Sequence, residues 1–476
     1  MIKNILGWLF LFEACFMLLP SLVAVIYGEW RTLGAFLITV GILCLVGVLC
    51  TTTLRPKKRE LFAKEGFLIV SLSWILISLF GALPLLFSGV TSSFLDAFFE
   101  TVSGFTTTGA SIFRDVESLP RAIIMWRSFT HWVGGMGVLV FLMAFLPLSG
   151  GQNMHIMKAE SPGPSVSKLV PRVRTTALIL YLIYTLLTLL ELILLLCGGM
   201  PFFEALNTAF ATAGTGGFGF RNDSFSGFSS YIQVVIAVFM LLFSVNFTSY
   251  YLVLRKKWRD AFNSEVRLFF IIVFVAITVI SVELIYDGYY GIGESIKHAL
   301  FSVSTIISTT GFFSTNFDLW PALSKSILVL LMFIGACAGS TGGGIKVSRL
   351  IIFFKTMAKE MGAMLHPKQV KKSTIDGKPI EDSVVRGVCA YMAAYLLIFV
   401  FSVLLISVDG RDLVSNFTAV SVAFNNVGVG LGEVGPAGSW AGYGAFSKIV
   451  LSFDMLIGRL EIFPMLLLFH PKTWKK

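Results

Sequence analysis

The sequence predicts an all-α integral membrane protein with ten transmembrane helices: an N-terminal helix pair, then four helix, re-entrant pore-loop, helix repeats around a central pore. Three observations lead there. The chain is 56% hydrophobic and only 13% charged, with a mean hydropathy of +0.83, far more apolar than a water-soluble domain. A segment of about a dozen helix-like residues ending at a glycine returns four times, each copy flanked by apolar spans. Lys and Arg cluster after every second span, as the positive-inside rule requires of a multi-pass chain.

The apolar spans lie at 5–27, 33–53, 66–88, 122–148, 175–198, 231–254, 267–287, 325–357, 385–407 and 446–470, each long enough to cross at about 20 residues. The first is too long for the apolar region of a signal peptide, and no small-residue cleavage site follows it. The clusters RPKKR at 55–59 and RKKWR at 255–259, the lysines Lys368, Lys371, Lys372 and Lys378, and the closing WKK fall on one side, so both termini are expected in the cytoplasm. That bias accounts for the net charge of +10, and without a basic groove carrying stacking aromatics no nucleic-acid partner is expected. The spans divide into an N-terminal pair, 1–60, and repeats at 61–158, 159–260, 261–365 and 366–476.

The repeated segments are AFFETVSGFTTTG ending at Gly109, ALNTAFATAGTGG at Gly217, ALFSVSTIISTTG at Gly311 and NFTAVSVAFNNVG at Gly428. They align without gaps. Twelve residues before the glycine stand Ala97, Ala205, Ala299 and Asn416, and four before it Phe105, Ala213, Ile307 and Phe424. Each is too short to span, so each reads as a half-helix that dips into the membrane and returns as extended chain. Irregular backbone survives in a bilayer only where protein buries it or where it lines water. Four such loops gathered on one axis set four glycines at one level, where carbonyls replace the hydration shell of an alkali cation. The candidate ion-coordinating residues are Thr107, Thr108 and Gly109; Gly216 and Gly217; Thr309, Thr310 and Gly311; and Asn426, Val427 and Gly428. The hydroxyl and amide side chains either brace the bent backbone or are ordinary polar loop residues.

The second span of the third repeat holds Gly335, Gly339, Gly342, Gly343 and Gly344, with Ser340 and Thr341 among them. Each glycine costs a helix about 1 kcal/mol relative to alanine. The span should break beneath the loops, making a movable plug, although close packing through small residues is the simpler use of such a stretch. Arg459 lies in the last span, where it either pairs with Glu461 or Asp454 or reaches the broken span and holds it shut. Lys346 is an inner-mouth charge of that gate or, more simply, a snorkelling anchor. His131 reads as a packed, hydrogen-bonded residue. Asp96, Glu100, Asp223 and Asp318 are either vestibule acids that attract cations or, for the first two, partners of a helix dipole.

The runs RSFTHWVGGMG at 127–137, GACAGSTGGGIKVSR at 335–349 and GRLEIFP at 458–464, together with the four ordered loops, resemble the Trk/Ktr/HKT superfamily of potassium transporters, with the extra N-terminal pair of its TrkH type. The resemblance covers almost the whole chain. It implies potassium as the transported ion, a homodimer in the cell inner membrane, a plug below the filter and a cytosolic nucleotide-binding regulatory ring of the TrkA type. No organic cofactor is expected in this chain. None of the loops has the TVGYG run of tetrameric potassium channels, which points to fewer ion sites and weaker selectivity. An ion-coupled symporter and a less selective cation channel are the rival readings; an enzyme is not expected, because no nucleophile, base or metal set converges. The six cysteines and five histidines show no CxxC or HExxH spacing.

Overall fold

The computed structural model describes residues 2–52, 63–137, 173–366 and 374–474. The basic clusters at 55–59, Lys368, Lys371 and Lys372, the end of span 122–148 and most of the loop 149–174 lie outside these residues. Helices α1 (Ile2–Ile26) and α2 (Trp30–Thr52) form the N-terminal pair. They cross tightly: a Cβ on Gly7 would stand 3.0 Å from the Gly47 carbonyl, and one on Gly47 would stand 3.0 Å from that of Gly7.

The first repeat holds α3 (Ala63–Gly81) running into α4 (Leu83–Phe87), the short α5 (Phe94–Phe105), and α6 (Arg121–Gly135). The second has α7 (Val173–Cys197), the short α8 (Phe202–Gly214), α9 (Ser230–Phe243) and α10 (Phe247–Leu254). After α11 (Trp258–Ala261), the third has α12 (Ser264–Tyr286), the short α13 (Ile292–Ile307), α14 (Ala322–Ile334) and α15 (Val347–Leu365). A two-residue hairpin, β1 (Thr374–Ile375) with β2 (Lys378–Pro379), leads into the fourth: α16 (Asp382–Ile406), the short α17 (Leu413–Asn425), α18 (Ala445–Leu460), α19 (Ile462–Phe469) and the closing α20 (Pro471–Trp474).

Among the described residues, six spans are continuous, long and apolar enough to cross a bilayer: Ile2–Ile26, Trp30–Thr52, Glu65–Phe87, Thr175–Cys197, Ser264–Tyr286 and Asp382–Asp409. Their outward faces carry large apolar side chains such as Leu186, Phe274 and Phe401, 55%, 71% and 60% exposed, which suits lipid and not water. The other four expected spans are the second helices of the repeats, and they are not continuous. Helix α6 stops at Gly135, and its continuation past Gly137 is outside the described residues. Helices α9 and α10 bend by 90° at Ser244–Asn246, where the Asn246 side chain accepts from Thr248 N at 2.8 Å and starts a new helix. Helices α14 and α15 are separated by residues 335–346. Helix α18 ends before Glu461, whose φ is 65°, and Pro464 sits in the first turn of α19, where a missing N–H costs nothing.

The short helices are packed in a closed cycle. Each touches the two helices of its own repeat and the second helix of the preceding one: α8 packs on α6, α13 on α9, α17 on α14, and α5 on α18. That last contact joins the fourth repeat to the first. The N-terminal pair lies outside the cycle, against α3, α4 and α6.

Candidate functional site: a ring of four glycine loops

The four short helices have 12, 13, 16 and 13 residues, and the last turns of all four are buried. Caps fix where three of them begin or end. Ser93 accepts from Asp96 N at 3.2 Å, Asp412 accepts from Ser415 N at 3.0 Å, and Thr215 ends α8 in the left-handed conformation.

Beyond each helix the backbone repeats one conformation. Two residues before the glycine, φ is positive: 57° at Thr107, 53° at Thr215, 61° at Thr309 and 56° at Asn426. The glycines themselves stand at 84°, 77°, 87° and 93°, and the residues between have ordinary negative φ. Left-handed threonine is sterically costly, about 1–3 kcal/mol each. Alternating the sign of φ turns every second peptide over, so carbonyls that would alternate in a strand come to share one side.

The glycines then close a ring. A Cβ on Gly109 would overlap the Gly216 carbonyl oxygen, one on Gly217 that of Thr310, and one on Gly311 that of Val427. A Cβ on Gly428 would stand 2.7 Å from the Thr108 carbonyl oxygen. Each loop's glycine thus abuts the carbonyl of the next loop, and the fourth abuts the first. All four glycines line one cavity of about 140 Å³, together with residues of the chain that follows each of them.

Thr107, Thr108, Thr309, Thr310 and Asn426 are buried, and their side chains bond to the wall around the ring. Thr108 Oγ1 lies 2.8 Å from Thr106 Oγ1 and accepts from Asn426 Nδ2 at 2.8 Å. Thr310 Oγ1 pairs with Ser308 at 2.6 Å, and Thr309 Oγ1 accepts from Gly343 N at 2.7 Å. His131 packs as expected and joins the last turn of α5 to the second loop: Nδ1 contacts the Gly104 carbonyl at 2.8 Å while Nε2 accepts from Phe218 N at 3.2 Å. Asp96 and Glu100 are each paired with a cation, Lys448 at 2.6 Å and Arg127 at 2.7 Å. Asp223 pairs with Arg221 at 3.1 Å, and Asp318 accepts from Gly432 N at 3.2 Å.

Residues 335–346 fold directly under the third and fourth loops. A Cβ on Gly343 would overlap the Asn425 carbonyl, and one on Gly342 would lie 2.9 Å from that of Ser308. Gly335, Gly339 and Gly344 take positive φ. The segment is tied to the bend of the second repeat, with Cys337 N donating to Ser244 O at 3.1 Å and Phe247 N to Gly339 O at 3.1 Å. Ser340 Oγ donates back to Cys337 O at 2.6 Å, and Glu265 Oε1 accepts from Ala338 N at 2.7 Å and Ser348 N at 3.0 Å. The snorkelling role read for Lys346 does not hold: the residue is 2% exposed, and its ammonium turns back to the Gly342 carbonyl.

Arg459 reaches the broken span. Its Nη1 donates to Thr341 O at 2.7 Å and Thr107 Oγ1 at 3.3 Å, and its Nη2 to the carbonyls of Gly134 and Gly135 at 2.6 and 2.5 Å. Glu461 forms an ion pair with Arg349, whose guanidinium lies 4.0 Å from the Tyr391 ring centroid. No role follows from sequence alone for Glu265, Arg349 or Asn246. Their signal was a polar residue at a span end or interior, without a partner visible in sequence.

The profile of the family described as TrkH, cation transport protein, matches residues 34–476. The Trk system potassium uptake protein TrkH of Salmonella typhimurium is 36% identical over 484 residues, covering 100% of this chain and 99% of that protein. The Trk system potassium uptake protein TrkG of Escherichia coli is 34% identical, covering 100% and 98%. The crystal structure of the potassium transporter TrkH from Vibrio parahaemolyticus is similar throughout, with a TM-score of 0.89, 34% identity and coverage of 100% and 99%.

Proposed function

Because the chain belongs to the TrkH family of cation transport proteins, we propose that it takes up potassium through a channel-like pore whose selective ring is formed by the four glycine loops. Family membership makes it a membrane transporter and not an enzyme. The observation that carries the pore reading is the closed cycle in which each glycine meets the next loop's carbonyl. Carbonyls at Thr108, Gly216, Thr310 and Val427 would replace the ion's hydration shell, with Gly109, Gly217, Gly311 and Gly428 giving the clearance they need. The ten membrane crossings, the four repeats at their stated boundaries and cytoplasmic termini belong to the same reading, with the 140 Å³ cavity as outer mouth.

Residues 335–346 act as the gate, and Arg459 and Lys346 hold it under the ring. Opening requires that Thr341 and Gly343 leave Arg459 and Thr309. A homodimer and a cytosolic nucleotide-binding ring of the TrkA type supply the remaining parts of the reading, as the resemblance implies. Transport needs no chemistry: a membrane potential of 100 mV gives each cation about 2.3 kcal/mol, enough for a roughly 40-fold gradient.

The test is potassium flux through the purified chain in liposomes at clamped potential, with and without proton and sodium gradients. Flux that follows the potassium electrochemical gradient alone is expected. Flux that requires a proton or sodium gradient overturns the channel reading in favour of a symporter.

A further inference from the structure

Glu100 and Arg127 are 1% and 3% exposed at the side chain, and they join the chain leaving the first loop to the chain leaving the second. Glu100 Oε2 accepts from Ile112 N at 2.8 Å and Oε1 from Ser111 Oγ at 2.9 Å, three and two residues past Gly109. Arg127 Nη1 donates to Gly219 O at 3.3 Å, two residues past Gly217, and Nη2 to Ser111 Oγ at 3.0 Å. The Phe218 ring centroid lies 4.2 Å from the guanidinium carbon and that of Phe113 5.6 Å. The second and third loops are joined instead by Phe225 N to Phe313 O at 3.0 Å, and the third and fourth by Asp318 to Gly432 N at 3.2 Å.

The pair is also lopsided. Arg127 lines the cavity that reaches the glycines, whereas Glu100 stands behind it. A full positive charge therefore borders the expected ion path and is neutralised from behind. Such a placement does two separable things: it sets the spacing of two adjacent loops, and it sets how strongly the mouth attracts cations.

We propose that Glu100 and Arg127 are positioning residues for cation selection, clamping the first two loops and tuning the potential of the outer mouth; this rests on the pore reading above. Removing either charge must then shift cation affinity in opposite directions. Glu100→Gln leaves Arg127 uncompensated and repels cations. Arg127→Gln leaves a carboxylate that attracts them, divalent cations most of all. A pair that served only to hold the fold would move both variants the same way.

The experiment measures potassium flux against potassium concentration, and the potassium-over-sodium permeability ratio, for the full chain in liposomes. Glu100→Gln is expected to weaken apparent potassium affinity roughly three- to tenfold and Arg127→Gln to strengthen it similarly, with new block by external barium. Combining the two substitutions should bring affinity back towards the parent value. Arg127→Lys, which keeps the charge but loses the fork to Ser111 and Gly219, should hold affinity within about twofold while lowering the permeability ratio. Shifts of the same sign in both single variants, or parent-like selectivity in Arg127→Lys, overturn the proposal. If the neutral single variants do not fold, Arg127→Lys alone decides. A parent chain without potassium-selective flux overturns the pore reading and the proposal together, whereas a selective parent with same-sign variants overturns only the proposal.

Discussion

At the scale of single residues the ring makes a graded prediction. A Cβ would overlap the neighbouring carbonyl at Gly109, Gly217 and Gly311, and at Gly428 it would clash less deeply, at 2.7 Å. Serine at any of the first three should lower the potassium-over-sodium permeability ratio sharply, and Gly428→Ser less so. Reversal potentials under mixed potassium and sodium check this order, and equal or absent effects at all four count against the ring. Arg459 donates to Thr341 O among other acceptors, so Arg459→Ala should raise flux of the isolated chain modestly by releasing it. It should also destabilise, because the buried Gly135 carbonyl loses a charged donor at about 1–3 kcal/mol, whereas the Gly134 carbonyl still accepts from Gly137 N. Asp412 caps α17, and hydrogen bonds from the Ser415 hydroxyl and amide hold its carboxyl below the usual carboxylate range. A depressed pKa contributes stability above the unfolded value, lost as pH falls through the folded one. Asp412→Ala should therefore melt earlier near neutral pH, by about 1 kcal/mol, and the gap to the parent should close below about pH 4.

At the scale of elements, the decisive features are interruptions. The break at 335–346 was legible, because five glycines in ten positions cannot stay helical. Those in the second and fourth repeats were not read, since Ser244-Val245-Asn246 contains neither glycine nor proline, and Pro464 lies three residues beyond the break at Glu461. What bends the span of the second repeat is tertiary: the Ser244 and Phe243 carbonyls are turned towards Cys337 and Thr341 of the neighbouring repeat. The 335–346 segment is closed at its stem, with a Cβ on Gly335 falling 2.8 Å from Gly344 Cα. Deleting residues 339–343 therefore shortens the segment without pulling α14 and α15 far apart. The variant should raise potassium flux in the absence of any partner protein, and more than Arg459→Ala does. A folded deletion variant no faster than the parent makes the segment a packing device.

At the scale of the whole molecule, the sequence revealed the number and order of the loops because the alignment is gapless, but not which repeat touches which. The cyclic packing of each short helix on the preceding repeat depends on long-range contacts that no local pattern encodes. The same holds for the Glu100 and Arg127 pair: in the sequence one half is an acid near a helix start and the other is only part of the RSFTHWVGGMG run. No segment between the apolar spans of the sequence is long enough for a nucleotide-binding domain of about 100 residues. The purified chain should accordingly bind neither ATP nor NADH tightly, with regulation appearing only when a nucleotide-binding partner is added. Calorimetry with each nucleotide, on the chain alone and then with such a partner, checks this.

The ring's four quarters are unlike: its carbonyls belong to threonine, glycine, threonine and valine, and they are strung on one chain. A ring built from identical subunits receives every substitution at fourfold dose, so a single coding change rewrites the whole circumference. Here a change at Val427 alters one seam, against Gly311, and leaves the other three as they were. Mutation therefore acts on this ring in quarter steps, each open to correction by a second change across the same seam before the next quarter is touched.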